Sequence, residues 1–490
     1  GWSGPVGHID PDRGWERELA ASYVGVDYEG WRIAVVIDRS SSQAQIGFSD
    51  GSTGTLPASL AQTPYRRTGG PAFSALKAGD LIVVAKNGED WALRTVPEVS
   101  GGMVVQEVHS GRIRAMQGGF DSRLSSYNRA TQAQRQPGST IKPFVYAAAL
   151  DNGMTPASII VDGPLCVYQG AGLGQKCFRN FSGGSAGPQT MRWGVEQSRN
   201  LMTVRAASQT GMDRVVRTIK AMGIGDYQPY LSFALGAGET TVERMVNAYA
   251  TLANQGKQNP SKVMDYVQDR RGKVIWPERW RPCDGCNMAN WDGKPMPRFG
   301  FEGRQVMNPM TAYQVVHIAE GVVLRGTATV LADLKRPLFG KTGTTNGPTN
   351  VWFVGGSPDL VAGVYVGYDK PRSLGGWAQG GRIAAPIWKA AMAPILETMP
   401  KTPFVAPAGI RMVTIDRRSG KRVYGVWPTN DPKPAVIWEA FKPETEPRRS
   451  IRKEEAEAQA KAADAKAAAA VARGRQRTDA DFLQDQGGIY

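Results

Sequence analysis

Residues 136–143 read Gln136-Pro137-Gly138-Ser139-Thr140-Ile141-Lys142-Pro143, and these eight positions decide what kind of domain surrounds them. Pro-Gly is a turn signal, and Pro143 is compatible with a helix only in its first turn. A helix therefore starts at Ser139 and runs through Phe144 and Ala149 to Asp151-Asn152-Gly153. The free N–H groups and positive dipole end of such a helix start favour an anion developing beside the serine. Residues three apart on a helix lie roughly 5–6 Å from each other, so the Lys142 amine reaches the Ser139 oxygen. The same spacing occurs at Ser74/Lys77, in a β-rich stretch, and at Ser450/Lys453, in the tail; neither context makes a cleft.

A nucleophilic serine needs a base, and the chain has only His8, His109 and His317. The first lies in a Gly/Pro-rich segment, the second in a hairpin turn and the third in an apolar helix, so structural roles are expected for all three. Lysine substitutes as base when its ammonium is desolvated or lies beside another cation. Two later motifs fit around the pair. Ser198-Arg199-Asn200 follows a short helical run from Met191 to Gln197 and offers a hydroxyl and a carboxamide; Ser126-Tyr127-Asn128 is a second copy. Lys341-Thr342-Gly343-Thr344-Thr345 occurs once, entered by the strand residues Leu338 and Phe339. A strand edge carrying Lys and Thr, with a glycine that admits a ligand to the backbone, suits a carboxylate and a peptide.

Around these motifs, residues 1–22 read as a linker rich in Gly, Pro and charge. Residues 23–99 carry short β-like runs, Trp31–Ile37, Ala44–Phe48, Leu81–Ala85 and Trp91–Val96, separated by turns, as in a small all-β barrel of the oligonucleotide/oligosaccharide-binding (OB) type. Residues 100–400 mix strands and helices and predict an α+β domain with an antiparallel sheet covered by helices. Its elements include a hairpin at Val104–Val108 and Ile113–Met116, helices at Thr241–Asn254 and Thr311–Leu324, and strands at Leu338–Gly340, Val351–Val354 and Leu360–Tyr365. Residues 401–440 form a β-rich extension, and 441–490 an Ala-, Glu- and Lys-rich tail, disordered or a solvated helix.

With 490 residues the chain holds several domains, and its net charge of +15 is compatible with nucleic acid, an anionic membrane surface or an acidic polymer. No aromatic ladder interleaves with Lys and Arg, which argues against nucleic acid. No stretch is apolar enough to cross a bilayer, and a start at Gly1 without a signal pattern reads as a trimmed or processed chain. Cys166/Cys177 and Cys283/Cys286 form two local pairs; disulfides, a zinc site and free thiols all remain open, with disulfides ahead. No metal or other cofactor is expected.

The order Ser-x-x-Lys, Ser-x-Asn, Lys-Thr-Gly resembles the signature of penicillin-binding proteins and related β-lactamases, with Arg199 where the usual pattern has Asp. The flanks are more specifically similar to class A high-molecular-mass penicillin-binding proteins: Tyr127-Asn128-Arg129-Ala130-Thr131, Ala234-Leu235-Gly236, Asn247-Ala248-Tyr249-Ala250, Arg325-Gly326-Thr327-Ala328 and Trp352-Phe353-Val354-Gly355. The resemblance implies a serine D,D-transpeptidase that cross-links peptidoglycan stem peptides ending in D-Ala-D-Ala and is acylated by β-lactams. Ser139 would be the nucleophile, Lys142 its base and Ser198 a proton relay. Asn200 would hold the substrate amide, Lys341, Thr342 and Thr344 the terminal carboxylate beside Gly343, and the Ser139 and Thr344 N–H groups the oxyanion. It also implies a glycosyltransferase domain with no counterpart here, and a place on the periplasmic side of the inner membrane, anchored by a segment outside this sequence. The barrel or tail would recruit cell-wall-synthesis partners. A D,D-carboxypeptidase or β-lactamase, and a non-catalytic scaffold, are the alternatives.

Overall fold

The computed structural model describes residues 1–26, 28–168, 174–276, 290, 293, 303–429, 431, 433–443, 445–447, 450, 451, 458, 461, 462 and 465. Two compact units emerge, one of residues 1–102 and 117–132, the other of 103–116 and everything from Ala133 onward. Cys283, Cys286 and most of the tail lie outside the described residues.

In the first unit an antiparallel sheet runs in the order Gly7–His8, Asp80–Asn87, Arg32–Arg39, Gln43–Gly47, Thr53–Pro57, with Asp90–Leu93 also pairing to Asp80–Asn87. Successive strand residues face opposite sides. Ala34 and Val36 therefore join Ile46, Phe48, Leu56 and Trp91 in one buried cluster, while Val35 and Leu81 pack with Leu19 in another. The expected linker at residues 1–22 is instead part of this fold. Trp2, 2% exposed, sits in the first cluster; Gly7–His8 is a strand; the helix Trp15–Ala21 supplies Leu19 to the second. Gly- and Pro-rich composition hides single large apolar side chains whose partners lie far along the chain.

The second unit is built on a five-stranded sheet in the order Phe339–Thr344, Asn350–Gly356, Leu360–Tyr368, Val99–Glu107, Ile113–Gln117. Helices Val242–Ala253 and Pro309–Leu324 pack on one face, and Ala384–Glu397 on the other through the Phe353–Trp388 contact. The sequence-predicted helix at 241–254 starts on a side-chain cap, and at its end the first left-handed residue is Gln255 (φ +54°) rather than a glycine. Thr241 Oγ1 accepts from Arg244 N at the start, and Gly256 at φ +78° follows the end. The helix Lys142–Asp151 is buried from Lys142 through Leu150, so it is enclosed on every side rather than lying on a surface.

Residues after 400 contribute strands Arg411–Asp416, Arg422–Val423 and Val436–Phe441, and they are tied to the helices by charge. Glu439, fully buried, accepts from Nε and Nη2 of Arg192, the latter at 2.7 Å. Arg192 also approaches Glu196 at 3.4 Å, and Glu196 accepts two bonds from Arg325. Burial alone would raise the Glu439 carboxyl, but the Arg192 charge and hydrogen bonds outweigh it and hold it below the usual range. Cys166 and Cys177 are joined by a disulfide across the hairpin Leu165–Tyr168/Gln175–Phe178. Among the described residues no helix is long and apolar enough to cross a membrane.

Removing one member of a buried ion pair strands its partner, at a cost of about 3–5 kcal/mol. Glu439→Gln is therefore expected to lower the unfolding free energy of the second unit by that amount in urea titration; a change under about 1 kcal/mol would mean the Arg192 charge is compensated elsewhere.

Candidate active site

The turn before Ser139 is set by three close backbone approaches. Gly138 has φ +52°, and a Cβ on it would lie 2.8 Å from Thr344 O. A Cβ on Gly343 would overlap Pro137 O, and one on Gly236 would overlap Gly138 O. Only glycine lets the turn, the Phe339–Thr344 strand and the Ala234-Leu235-Gly236 segment meet at these distances. Side chains pin the same turn: Trp352 Nε1 donates to Gln136 O (3.0 Å), Thr140 Oγ1 to Pro137 O (2.8 Å) and Tyr249 OH to Thr140 O (2.7 Å). Ser139 is part-exposed between buried Gly138 and Thr140. It lies in a 3-10 turn, Gly138–Ile141, and the α-helix begins at Lys142 with Pro143 in its first turn.

Lys142 and Lys341 both have no exposed surface. Lys142 Nζ donates to Ser198 O (2.6 Å), Asn200 Oδ1 (2.7 Å) and Ser198 Oγ (3.4 Å). Lys341 Nζ donates to Ser198 Oγ (2.8 Å) and Thr342 O (3.2 Å). A Ser139–Lys142 hydrogen bond, which the sequence spacing predicts, is not among these contacts; the shortest bonds of the buried amine go to carbonyl-type acceptors instead. Burial first, then the Lys341 and Arg199 charges, hold Lys142 well below the usual lysine range, against an opposing pull from Asp162. Burial pushes Lys341 down to about 7.

Ser198 reaches both lysines because of how the preceding helix ends. Met191–Glu196 closes with Ser198 N bonded to Val195 O (3.1 Å) and Arg199 N to Gly194 O (2.9 Å). That is the pairing in which the residue just past the helix is left-handed and usually glycine. Ser198 occupies it at φ +56°, a conformation that costs a non-glycine residue of order 1–3 kcal/mol.

Arg199, where the family pattern has Asp, pairs with fully buried Asp162 (2.7 Å). Asp162 also accepts from Asn180 Nδ2 (2.8 Å), and Asn180 Oδ1 accepts from the Asn200 N–H (2.8 Å). Asn200 Nδ2 donates to Arg179 O (3.0 Å). Asp162 and Asn180 went unnoticed in the sequence, where nothing marks them.

In the Phe339–Thr344 strand, Thr345 N bonds Asn350 O (3.1 Å). By alternation the backbone groups of Thr342 and Thr344 face away from the neighbouring strand, toward the open edge of the sheet. Their side chains lie opposite that of Lys341. Thr342 Oγ1 pairs with Thr327 Oγ1 (2.6 Å), and Thr344 Oγ1 accepts from Gly380 N (3.1 Å). Thr327 belongs to the Arg325-Gly326-Thr327-Ala328 motif, visible in sequence but without a role there. Each histidine bonds elsewhere: His8 to Asp80, His109 to Asn254 and His317 to Trp438 O.

Residues 101–393 match the model of the penicillin-binding protein transpeptidase domain, and residues 2–99 that of the penicillin-binding protein OB-like domain. Penicillin-binding protein 1A of Rickettsia prowazekii is 37% identical over 448 residues, 90% of this chain and 55% of the relative. That of Rickettsia bellii is 38% identical over 431 residues, 87% and 53% respectively. The chain thus spans about half the length of the curated relatives it matches. Among solved structures, penicillin-binding protein 1A from Haemophilus influenzae superposes with a TM-score of 0.73 at 28% identity, covering 92% of this chain and 68% of that one. PonA1 of Mycobacterium tuberculosis in complex with penicillin V gives 0.52 at 25% identity, covering 64% and 82%. With more than half its residues under one family model and its three motifs gathered around two buried lysines, the chain belongs to the penicillin-binding protein transpeptidase family.

Proposed function

We propose that the chain is a serine-type D,D-transpeptidase that cross-links peptidoglycan stem peptides through an ester on Ser139 and is acylated there by β-lactams. The observation that carries this reading is the pair of fully buried lysines sharing Ser198 Oγ. A depressed amine pKa is what a lysine needs to act as a base near neutral pH.

In the first half-reaction the donor strand lies along the open edge of the Phe339–Thr344 strand, its terminal carboxylate taken by the Thr342 and Thr344 hydroxyls beside Gly343, with the Lys341 charge near by. Ser139 Oγ attacks the carbonyl of the penultimate D-alanine as its proton passes to neutral Lys142. Hydrogen bonds of this kind tighten only when substrate is bound, which accommodates the present engagement of the Lys142 amine with Ser198 O and Asn200 Oδ1. The oxygen that becomes negative is met by the N–H groups of Ser139 and Thr344; loss of one such donor typically costs 10²–10³ in rate. Ser198 carries the proton from Lys142 to the leaving nitrogen, the C–N bond breaks, and D-alanine departs. Asn200 holds the substrate amide through its carboxamide.

In the second half-reaction an amine of another stem peptide attacks the ester, gives up a proton along the same path in reverse, and leaves Ser139 protonated and a new amide formed. The Cys166–Cys177 disulfide is consistent with an oxidising compartment, and we place the protein on the periplasmic side of the inner membrane. Recruitment of cell-wall-synthesis partners by the OB-like domain or the tail belongs to the same reading.

Intact-protein and peptide mass spectrometry after penicillin treatment is expected to find one adduct, on Ser139, and none in Ser139→Ala; an adduct on any other residue overturns the assignment. Lys142→Ala is expected to slow acylation by about 10²–10⁴, the typical worth of a positioned base, with the fold retained by circular dichroism. In a two-substrate assay cross-linked dimers are expected; hydrolysed product alone would mean a carboxypeptidase.

Stability reports the lysines independently. Lys341 titrates near 7 in the fold and at the ordinary 10.5 when exposed, so between these values the unfolded chain binds more protons. Stability must then rise as pH rises from about 7 toward 10. Lys142 acts in the same direction. Melting temperature is expected to increase from pH 7 to 9 and to increase less in Lys341→Met; an equal slope in both proteins would mean Lys341 stays charged in the fold.

A further inference from the structure

Glu196 lies two residues before Ser198, has no exposed surface, and is not part of the chemistry described above. Its carboxylate takes Arg325 in both of its oxygens, Nη2 to Oε1 at 2.6 Å and Nε to Oε2 at 3.0 Å. Arg325 in turn lies two residues before Thr327, whose hydroxyl is 2.6 Å from that of Thr342. The two chain segments are also in backbone contact. A Cβ on Gly326 would overlap Glu196 O, and one on Gly321 would overlap Glu196 Oε1, so these glycines leave the room that Glu196 fills. Gln197 Nε2 adds a bond to Arg325 O at 3.4 Å.

We propose that Glu196 and Arg325 are positioning residues, a brace that fixes the distance between Ser198 on one side of the site and the Thr342–Thr344 edge on the other. The inference rests on the acyl-transfer reading of those two elements. Two-point carboxylate–guanidinium pairing fixes orientation as well as separation; Glu196 lies two residues from Ser198, and Arg325 two residues from Thr327, which contacts the hydroxyl of Thr342. Beside the longer Gln197 Nε2–Arg325 O bond and the backbone approach at Gly326, the Glu196–Arg325 pair is the charged link between the Ser198 turn and the segment that supports Thr342. Ser198 needs such support, since its left-handed backbone is a conformation that only surrounding structure holds in place. The charges balance locally: Glu196 lies between Arg192 and Arg325, and Glu439 between Arg192 and His317. Removing Glu196 and Arg325 together therefore removes one charge of each sign and leaves Arg192 with Glu439.

The test uses the full chain, a fluorescent penicillin and stopped-flow kinetics that separate the pre-covalent dissociation constant from the acylation rate constant. Glu196→Gln/Arg325→Gln is expected to lower the acylation rate constant about 10-fold with the dissociation constant within about 2-fold and the pH midpoint unchanged. Thr327→Val is expected to cost about 5-fold in the parent but under about 2-fold further in the double variant, because both changes cut one linkage. Glu196→Asp keeps the charge and shortens the reach, and is expected to show the same split more weakly, which keeps the test open should the double variant not fold. Amide hydrogen exchange in unliganded protein reads the brace without any chemistry: peptides spanning Ser198–Asn200 and Phe339–Thr344 are expected to exchange faster together in either variant. Effects that multiply in the cycle, or unchanged exchange in both segments, overturn the brace. A parent that is never acylated overturns the acyl-transfer reading instead, and the exchange measurement still decides the brace.

Discussion

Two lysine side chains without exposed surface meet at one serine hydroxyl, and most of the second unit serves to make that arrangement tolerable. Moving an ammonium out of water costs several kcal/mol even after relaxation. The Lys142 and Lys341 amines recover part of this through Ser198 O, Ser198 Oγ, Asn200 Oδ1 and Thr342 O. Burial also lowers the pKa of both amines. A rigid surround is needed for both. It is provided by a helix buried on every side, a sheet covered on two faces, and a strained turn that aims two oxygens of one residue at two amines.

The same arrangement explains why part of the site was legible in the sequence and part was not. Ser139 and Lys142 sit on one local element, and Pro143 and the Gln136-Pro137-Gly138 turn fix where it starts, so residues within eight positions of each other suffice to read it. Lys341 to Thr344 likewise lie on one strand, preceded by the apolar Leu338 and Phe339 and followed by a turn. The major helices and the hairpin of the sheet follow from periodicity and caps. Asp162, Asn180, Thr327 and Glu196 act across gaps of 15 to 129 residues, and no local pattern reports a partner so far away. Arg199 was visible as a departure from the family pattern, but its meaning required Asp162, which pairs with it from the strand Ile159–Asp162. The first 22 residues fail for a related reason: Trp2 and Leu19 belong to cores completed by residues far downstream.

The buried charges around Arg192 are a second consequence of chain connectivity. The extension after residue 400 adds Glu439 to the helix Met191–Glu196, which ends at Ser198. An apolar contact would join these parts in many registers, whereas a carboxylate facing a guanidinium accepts few. The view that such pairs favour one arrangement over competing ones fits their location here, between a late-synthesised segment and the turn that carries the shared serine.

The meeting of Gly138, Gly236 and Gly343 bears on how such a site changes over generations. Any replacement of one of these glycines introduces at least a methyl group where main-chain atoms already touch, so, on the function proposed above, selection by an acylating antibiotic finds little usable variation in the innermost ring. Tolerated change must come from residues farther out, whose side chains shape approach to the serine without entering those contacts. The inner ring thereby sets an upper limit on how much resistance substitutions at its own positions can supply.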